Sequence, residues 1–338
     1  MPSETSNTGP VTPQTSAAGG VAAPPPPTSP PASPAAPRPS APKPGGSPAA
    51  TLKQAQQDPA FVRWGLIGLT YFVVAVLIVI PIVNVFTIAL SDGVAAYWKS
   101  LTADPDTRHA IFLTLTVAPF AVILNTIFGV AAAWCLTKFR FPGRTFLTSF
   151  IDLPFAISPV VAGLMFMLLF GMQGYLGPWL RDHGIRLAFA WPGLVLVTAF
   201  VTLPFVAREL IPIMEAIGAD EEIAAVSLGA NGWQTFWRVT VPNIKWGLLF
   251  GIILCNARAM GEFGAVHVVS GHISGKTDTI PLRVEKLFQE YQLPASYALA
   301  SVLTTLSIVT LLLRIWLEHK TKKQVQDAKA EHAATAHT

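Results

Sequence analysis

Charge is scarce in this chain. Only 12% of its 338 residues are Asp, Glu, Lys or Arg, about half of what a soluble domain carries. Hydrophobic residues make up 51%, and the mean hydropathy is +0.49. That leaves too little polar surface for a soluble protein. The two cysteines, Cys135 and Cys255, lie in apolar runs without metal-ligand spacing. They exclude a disulfide framework and read as small helix-packing residues. No apolar h-region opens the N-terminus, so a cleaved signal peptide is not expected. His183, His267 and His272 show no ligand spacing, so neither a metal site nor a cofactor is expected. The stretch SGHISGKTDT, Ser270 to Thr279, carries a Gly-Lys-Thr but reads G-x-x-x-G-K-T, one residue short of a phosphate loop. Pro281 also reads as a poor start for a phosphate-capping helix, and nucleotide binding is not expected here.

What the sequence does have is long apolar runs. Residues 1–60 come first, a Pro/Ala/Ser/Gly tract that cannot bury a core and reads as a disordered tail of polyproline character. A membrane span needs about 20 mostly apolar residues. Six candidates come after it: Trp64 to Leu90, Ala110 to Leu136, Phe146 to Gly171, Leu187 to Ile213, Ile244 to Ser270 and Tyr297 to Leu317. The expected fold is therefore all-α, with a membrane domain over 61–320 and a basic tail over 321–338. In the third candidate, Asp152-Leu-Pro and Ser158-Pro predict a broken or kinked span.

The net charge is +4 and the pI about 9.1. The positive charges sit beside apolar runs, which reads as membrane topology rather than nucleic-acid binding. Lys138, Arg140 and Arg144 crowd the connection between candidates two and three, and HKTKK opens the C-terminal tail. Both belong in the cytoplasm by the positive-inside rule. Six spans then place both termini and the connection 212–243 in the cytoplasm, and the Gly-Lys-Thr loop outside.

The cytoplasmic connection reads MEAIGADEEIAAVSLGANGWQTFWRVTVPNI. Asp220, Glu221 and Glu222 suit a helix N-terminus. Ala224 and Ala225 are strong helix formers with small faces. Gly229 is placed to stop the helix in a left-handed turn, and Asn231 to cap a second short helix over 232–238. Pro242 stands at the start of the fifth span, where a missing N–H costs little. A small-faced helix of this kind either docks into a partner or is a plain surface connector.

These residues resemble the EAA loop of ABC transporter permeases: EAA, three residues, Gly, nine residues, Ile, any residue, Leu-Pro. Ala224, Ala225, Gly229, Val239, Val241 and Pro242 fall at the expected offsets. Ile223 occupies the Glu position, and Glu222 lies one residue early. Over about residues 60–320, FRFPGRTFLTSFIDLPFAISPVVAGLMF, WPGLVLVTAFVTLPFVARELIPIM and NARAMGEFGAVHVVSG are similar to CysW-type permease subunits of sulfate and thiosulfate ABC transporters. The resemblance implies the type I (MetI-like) permease fold and a prokaryotic cell membrane. It implies a paralogous permease partner, two copies of an ATPase subunit and an extracytoplasmic sulfate/thiosulfate-binding protein. Glu221, Glu222, Ala224, Ala225, Gly229 and Pro242 would then form the coupling element, and the chain itself would be no enzyme. A molybdate or tungstate permease is a close variant. A stand-alone secondary anion transporter is the reading from another class.

A dianion needs hydrogen-bond donors or positive potential along its path, and intramembrane charges are expensive enough to mark function or a pair. The candidates are Arg258, about halfway along the fifth expected span, with Asn256 and Glu262 nearby, then Ser158 and Arg208. Arg258 and Glu262 are four apart and share a helix face. Two readings stand for Arg258: a lure for the anion, or one half of an internal pair. For Arg208 the expectation is snorkelling to the interface.

Overall fold

The computed structural model describes residues 60–335, and their side chains over 61–318. The expected tail over 1–60 thus lies outside the described residues, apart from Ala60 itself. The chain divides into a unit ending at Gly65 and one beginning at Leu66. In the first, the Arg63 guanidinium sits over the neighbouring Trp64 ring at 5.9 Å. The second holds the helical bundle.

The described residues form helices and contain no strand. Five helices are long and apolar enough to cross a membrane: α1 Phe61–Ala89, α3 Pro105–Lys138, α8 Trp191–Ile217, α10 Gly232–Met260 and α13, which is apolar over Leu293–Glu318 and runs to Thr335. Between them lie α2 Val94–Thr102, α4 Arg144–Ile151, α5 Leu153–Ala156, α6 Pro159–Phe170, α7 Gly177–Asp182, α9 Asp220–Ser227, α11 Gly264–Ser270 and α12 Ile280–Gln289.

Two of the six expected spans are therefore not continuous helices. The third is cut into α4, α5 and α6, with extended backbone at Ile157 and Ser158. Proline at 154 and 159 removes N–H donors and clashes one turn back, so the break falls where the sequence placed it. α6 alone, 12 residues long, reaches only about 18 Å of the roughly 30 Å of hydrocarbon. The fifth expected span stops at Met260 and resumes as α11, turned by Gly261 to Phe263. Another difference lies upstream. The second short helix expected over 232–238 is not separate but runs on into the span through a π-helical turn, Phe236–Thr240. A second π turn, Ala75–Val79, stands in α1. Each ends two residues before a proline, Pro242 and Pro81. The widened turn moves the carbonyl that the proline ring would strike.

The core is built on α3 and α8. The buried positions of α3 include Ala110, Leu113, Val117, Ala121, Asn125, Gly129, Ala132 and Leu136, a stripe at helical spacing. At Gly129 an added Cβ would stand 2.8 Å from Val206, so the two backbones approach as small-residue interfaces in membranes allow. Asn125 Nδ2 donates to Thr202 Oγ1 at 2.8 Å beside Cys255 Sγ, which ties α3, α8 and α10 in the apolar interior. Cys255 is fully buried there, in the packing role its setting suggested. Large side chains of α1 such as Leu77, Ile80 and Phe72 are exposed, as a lipid-facing helix requires.

Asp104 fastens the other end of α3. It accepts from the N–H groups of Asp106 and Thr107, each at 3.2 Å, from the Thr107 hydroxyl at 2.7 Å, and from Arg283 of α12 at 2.6 Å. Burial pushes its carboxyl up, but the Thr107 hydroxyl, Arg283 and the Asp106 N–H outweigh this and hold it below the ordinary aspartate value. A carboxyl depressed on folding stabilises above its unfolded pKa, and that contribution fades as pH falls through the lower, folded value. Asp104→Ala should lower stability by about 2 kcal/mol at neutral pH through the lost cap and charged hydrogen bond. Thermal unfolding of the purified protein checks this, and the gap to wild type should close as pH drops below the ordinary aspartate range.

Candidate coupling and translocation site

α9 begins with Asp220, Glu221 and Glu222 in its first turn and ends in a Schellman turn. The Ala230 N–H reaches the Ala225 carbonyl at 3.0 Å and the Gly229 N–H reaches Val226 at 2.9 Å, with Gly229 at φ +91°. This is the left-handed stop expected of Gly229. Asn231 then caps α10: its Oδ1 accepts from the Gln234 N–H at 2.8 Å, and the Gln234 side chain accepts from the Asn231 N–H at 3.0 Å. That reciprocal capping box is stronger than the lone cap read from the sequence.

Two of the acids anchor the helix. Glu222 receives the Thr240 hydroxyl at 2.8 Å and pairs with Lys138 Nζ at 3.0 Å. Lys138 also donates to the Gly218 carbonyl at 2.6 Å. Glu221 accepts from Asn243 Nδ2. The end of α3 and the stretch Thr240 to Asn243 of α10 thus hold the first turn of α9, around a small pocket that Met214, Ile217 and Ile244 also line. Pro242 lies within that stretch of α10. Ala225 is half-buried and Ala224 exposed.

The outward side chains of α9 and its C-cap are apolar. Ile223 is 61% exposed, Val226 57% and Leu228, just past the helix, 90%, and Trp233 in the first turn of α10 is exposed as well. In the EAA pattern Ile223 stands only as a departure, and neither Val226 nor Leu228 belongs to the motif. Apolar residues three apart on a helix outside any span were the available signal.

Arg258 and Glu262 do form a pair, Nη1 to Oε2 at 2.7 Å, with the Glu262 side chain 1% exposed and that of Arg258 36%. The charges touch without an aligned hydrogen bond to Oε2, while Oε1 accepts the Ala265 N–H at 3.1 Å. Glu262 therefore caps the break between α10 and α11. Arg258 is not halfway along its span but in the last turn of α10, because the helix ends at Met260. A cation there also meets the negative end of the helix dipole. Asn256 does not join the pair; its amide lies 3.9 Å from Met260 Sδ. Ser158 is exposed at the α5–α6 break and makes no side-chain cap. Arg208 grips Asp152 through two bonds, 2.7 and 2.9 Å, with its guanidinium 5.2 Å from the centre of the Phe155 ring. This fork ties α8 to the broken segment, with the Arg208 side chain 59% exposed.

The Gly-Lys-Thr loop follows a helix, not a strand. Its Thr277 hydroxyl is buried and donates to the Ser270 carbonyl at 2.7 Å. A helix, α12, does start directly after it, contrary to expectation. Pro281 stands in the first turn, where no partner for its nitrogen is required.

The family model described as "Binding-protein-dependent transport system inner membrane component" matches residues 125–323, which carry both the anchored α9 and the Arg258–Glu262 break. The chain belongs to that permease family, on its CysW branch. A sulfate transport system permease protein CysW of Synechococcus elongatus is 53% identical over 80% of this chain and 94% of its own length. The CysW of Escherichia coli K12 is 49% identical over 80% and 92%. A CysT permease from the same strain is 37% identical over 72% and 88%. Among solved structures, a bacterial ABC transporter for the import of alginate superposes with a TM-score of 0.63 at 16% identity, covering 81% of this chain and 99% of that one. The permease is thus a multi-pass membrane protein with the fold of ABC importer subunits, and not an enzyme.

Proposed function

We propose that this permease is one membrane subunit of an ATP-driven importer of sulfate or thiosulfate. It pairs with a CysT-like paralogue, receives the anion from an extracytoplasmic binding protein, and is driven by two copies of an ATPase subunit docked on α9. The observation that carries the reading is the anchored helix with a bare apolar tip. A helix held on one face by Lys138, Thr240 and Asn243, with Ile223, Val226 and Leu228 outward, transmits a push instead of yielding to it. A stand-alone carrier has no use for such a tip. The basic residues at Lys138, Arg140 and Arg144 support a cytoplasmic position for that end, and both termini with it. Relatives named for sulfate support the substrate. Along the pathway, Arg258 offers the exposed part of its guanidinium to the dianion while Glu262 keeps it in place, and Arg208, Ser158 and Asn256 supply further donors.

Reconstitution with the paralogue, the ATPase and the binding protein in proteoliposomes tests this directly. Labelled sulfate should enter only with ATP and the binding protein present, and an excess of molybdate or tungstate should compete weakly. Uptake without ATP, or transport of molybdate in preference to sulfate, removes the proposal.

A further inference from the structure

Three side chains that neither coupling nor the anion path uses meet near the start of α8, at the end of the bundle away from α9. They are His267, His272 and Glu285, and their ligating atoms lie within 4.8 Å of one another. His267 Nδ1 stands 3.5 Å from Glu285 Oε2. The two imidazoles meet edge to face, centroids 4.2 Å apart. In sequence the histidines are five apart and the carboxylate thirteen further on, which is why no ligand spacing showed.

Backbone turning makes the meeting. Gly271 and His272 are both left-handed, φ +66° and +55°, and this folds the chain back so that the second ring faces the first. Gly271 has no alternative, since a Cβ there would stand 2.4 Å from the Phe189 ring, and Phe189 is itself bonded to Val269 at 3.1 Å. The Ser270 hydroxyl accepts the His272 N–H at 3.1 Å. A non-glycine residue held left-handed stores strain, and such strain concentrates at functional positions.

A second observation points to a ligand. The His267 side chain is 40% exposed, but its Nδ1 atom is buried and has no hydrogen-bond partner, a costly condition for a ring nitrogen. Its distance to the carboxylate is too long for a hydrogen bond, yet close to the edge of about 3.3 Å of a tetrahedron with bonds near 2.0 Å. The other carboxylate oxygen, Oε1, is already held by Gln289 Nε2 at 3.0 Å, the kind of outer contact that orients a metal ligand.

We propose that His267, His272 and Glu285 bind one divalent transition-metal ion of the zinc type, with a fourth position open to water. Two imidazoles and one carboxylate suit such an ion and offer too few oxygens for Ca2+ or Mg2+. The bound ion staples α11, which packs on α6 and α8, to α12, which packs on α3 and α13.

The assembled transporter, purified without a polyhistidine tag and stripped by chelator, is titrated with Zn2+ by calorimetry and with Co2+ by absorption. Wild type should take up one ion per copy of this chain, show the visible bands of tetrahedral Co2+, and unfold at higher temperature with Zn2+. Glu285→Gln and His272→Asn, the latter keeping a residue type tolerant of left-handed backbone, should each weaken Zn2+ binding at least about 100-fold. Both should abolish the Co2+ bands while leaving subunit assembly intact. The wild-type spectrum requires no variant, so a misfolded mutant cannot rescue the idea. No saturable uptake by wild type, or uptake of equal affinity in both variants, overturns it.

Discussion

Gly229→Val should cost the assembled importer about ten-fold or more of its ATP-driven sulfate uptake while the permease stays in the membrane at normal level. The substitution meets no neighbour, because a Cβ at Gly229 finds nothing within 4 Å. Its penalty is confined to the backbone. Gly229 sits at φ +91°, where an L-residue pays roughly 1–2 kcal/mol and a β-branched one is an outlier. Relieving that strain breaks the Ala230–Ala225 and Gly229–Val226 bonds that end α9, and the tip re-aims. Since 1.4 kcal/mol is a factor of ten in docking, the loss should fall on the ATPase contact proposed for α9. Ile223, Val226 and Leu228 are mostly exposed and belong to none of the buried core clusters among the described residues, so folding survives. Gly229→Asn, which tolerates the left-handed region, should keep most of the uptake. Parallel uptake and ATPase measurements on the reconstituted complex decide it: a Val variant that transports like wild type ends the coupling role of α9.

The parts of this turn that could be read in advance are local ones. Acids at 220–222, a glycine at 229 and an Asn at 231 act within one helical turn of themselves, so one stretch of sequence contains cause and effect. The same holds for the proline breaks at 154 and 159. Partners far along the chain were hidden. Lys138 lies 84 residues before Glu222 and looked like a topology signal, yet its ammonium holds α9 in place. Asp152 and Arg208, 56 apart, looked like separate charges until the fold crossed them. The inner face of α3 was hidden for another reason. In a membrane both faces of a helix are apolar, and size rather than polarity separates them. Ala121, Gly129 and Ala132 face α8 or its neighbours while Phe112, Ile123 and Ile127 face outward, and a reading based on polarity sees one uniform run. The end of α10 escaped because an isolated Gly-Glu-Phe within an apolar stretch does not announce a turn. It becomes one only when Glu262 caps the next helix.

That buried glutamate sets the second large effect. Removing one partner of a buried ion pair strands the other charge, at about 3–5 kcal/mol. The two partners here are unequal. Glu262 is enclosed, with a side chain 1% exposed, while Arg258 at 36% can turn toward an open edge. Arg258→Gln should therefore destabilise the assembled permease far more than Glu262→Gln does, and the double variant should recover most of the loss because no charge is left stranded. Thermal unfolding in detergent gives the order: wild type and double variant highest, Glu262→Gln next, Arg258→Gln lowest. An Arg258→Gln variant no less stable than the double would refute the buried-pair account. Uptake then separates the two tasks of the arginine. If Arg258 serves only as the counterion of Glu262, the double variant regains transport along with stability. If its exposed edge also receives the dianion, as proposed, the double variant assembles normally and still takes up sulfate poorly, because glutamine presents one amide where the guanidinium offered a charged fork.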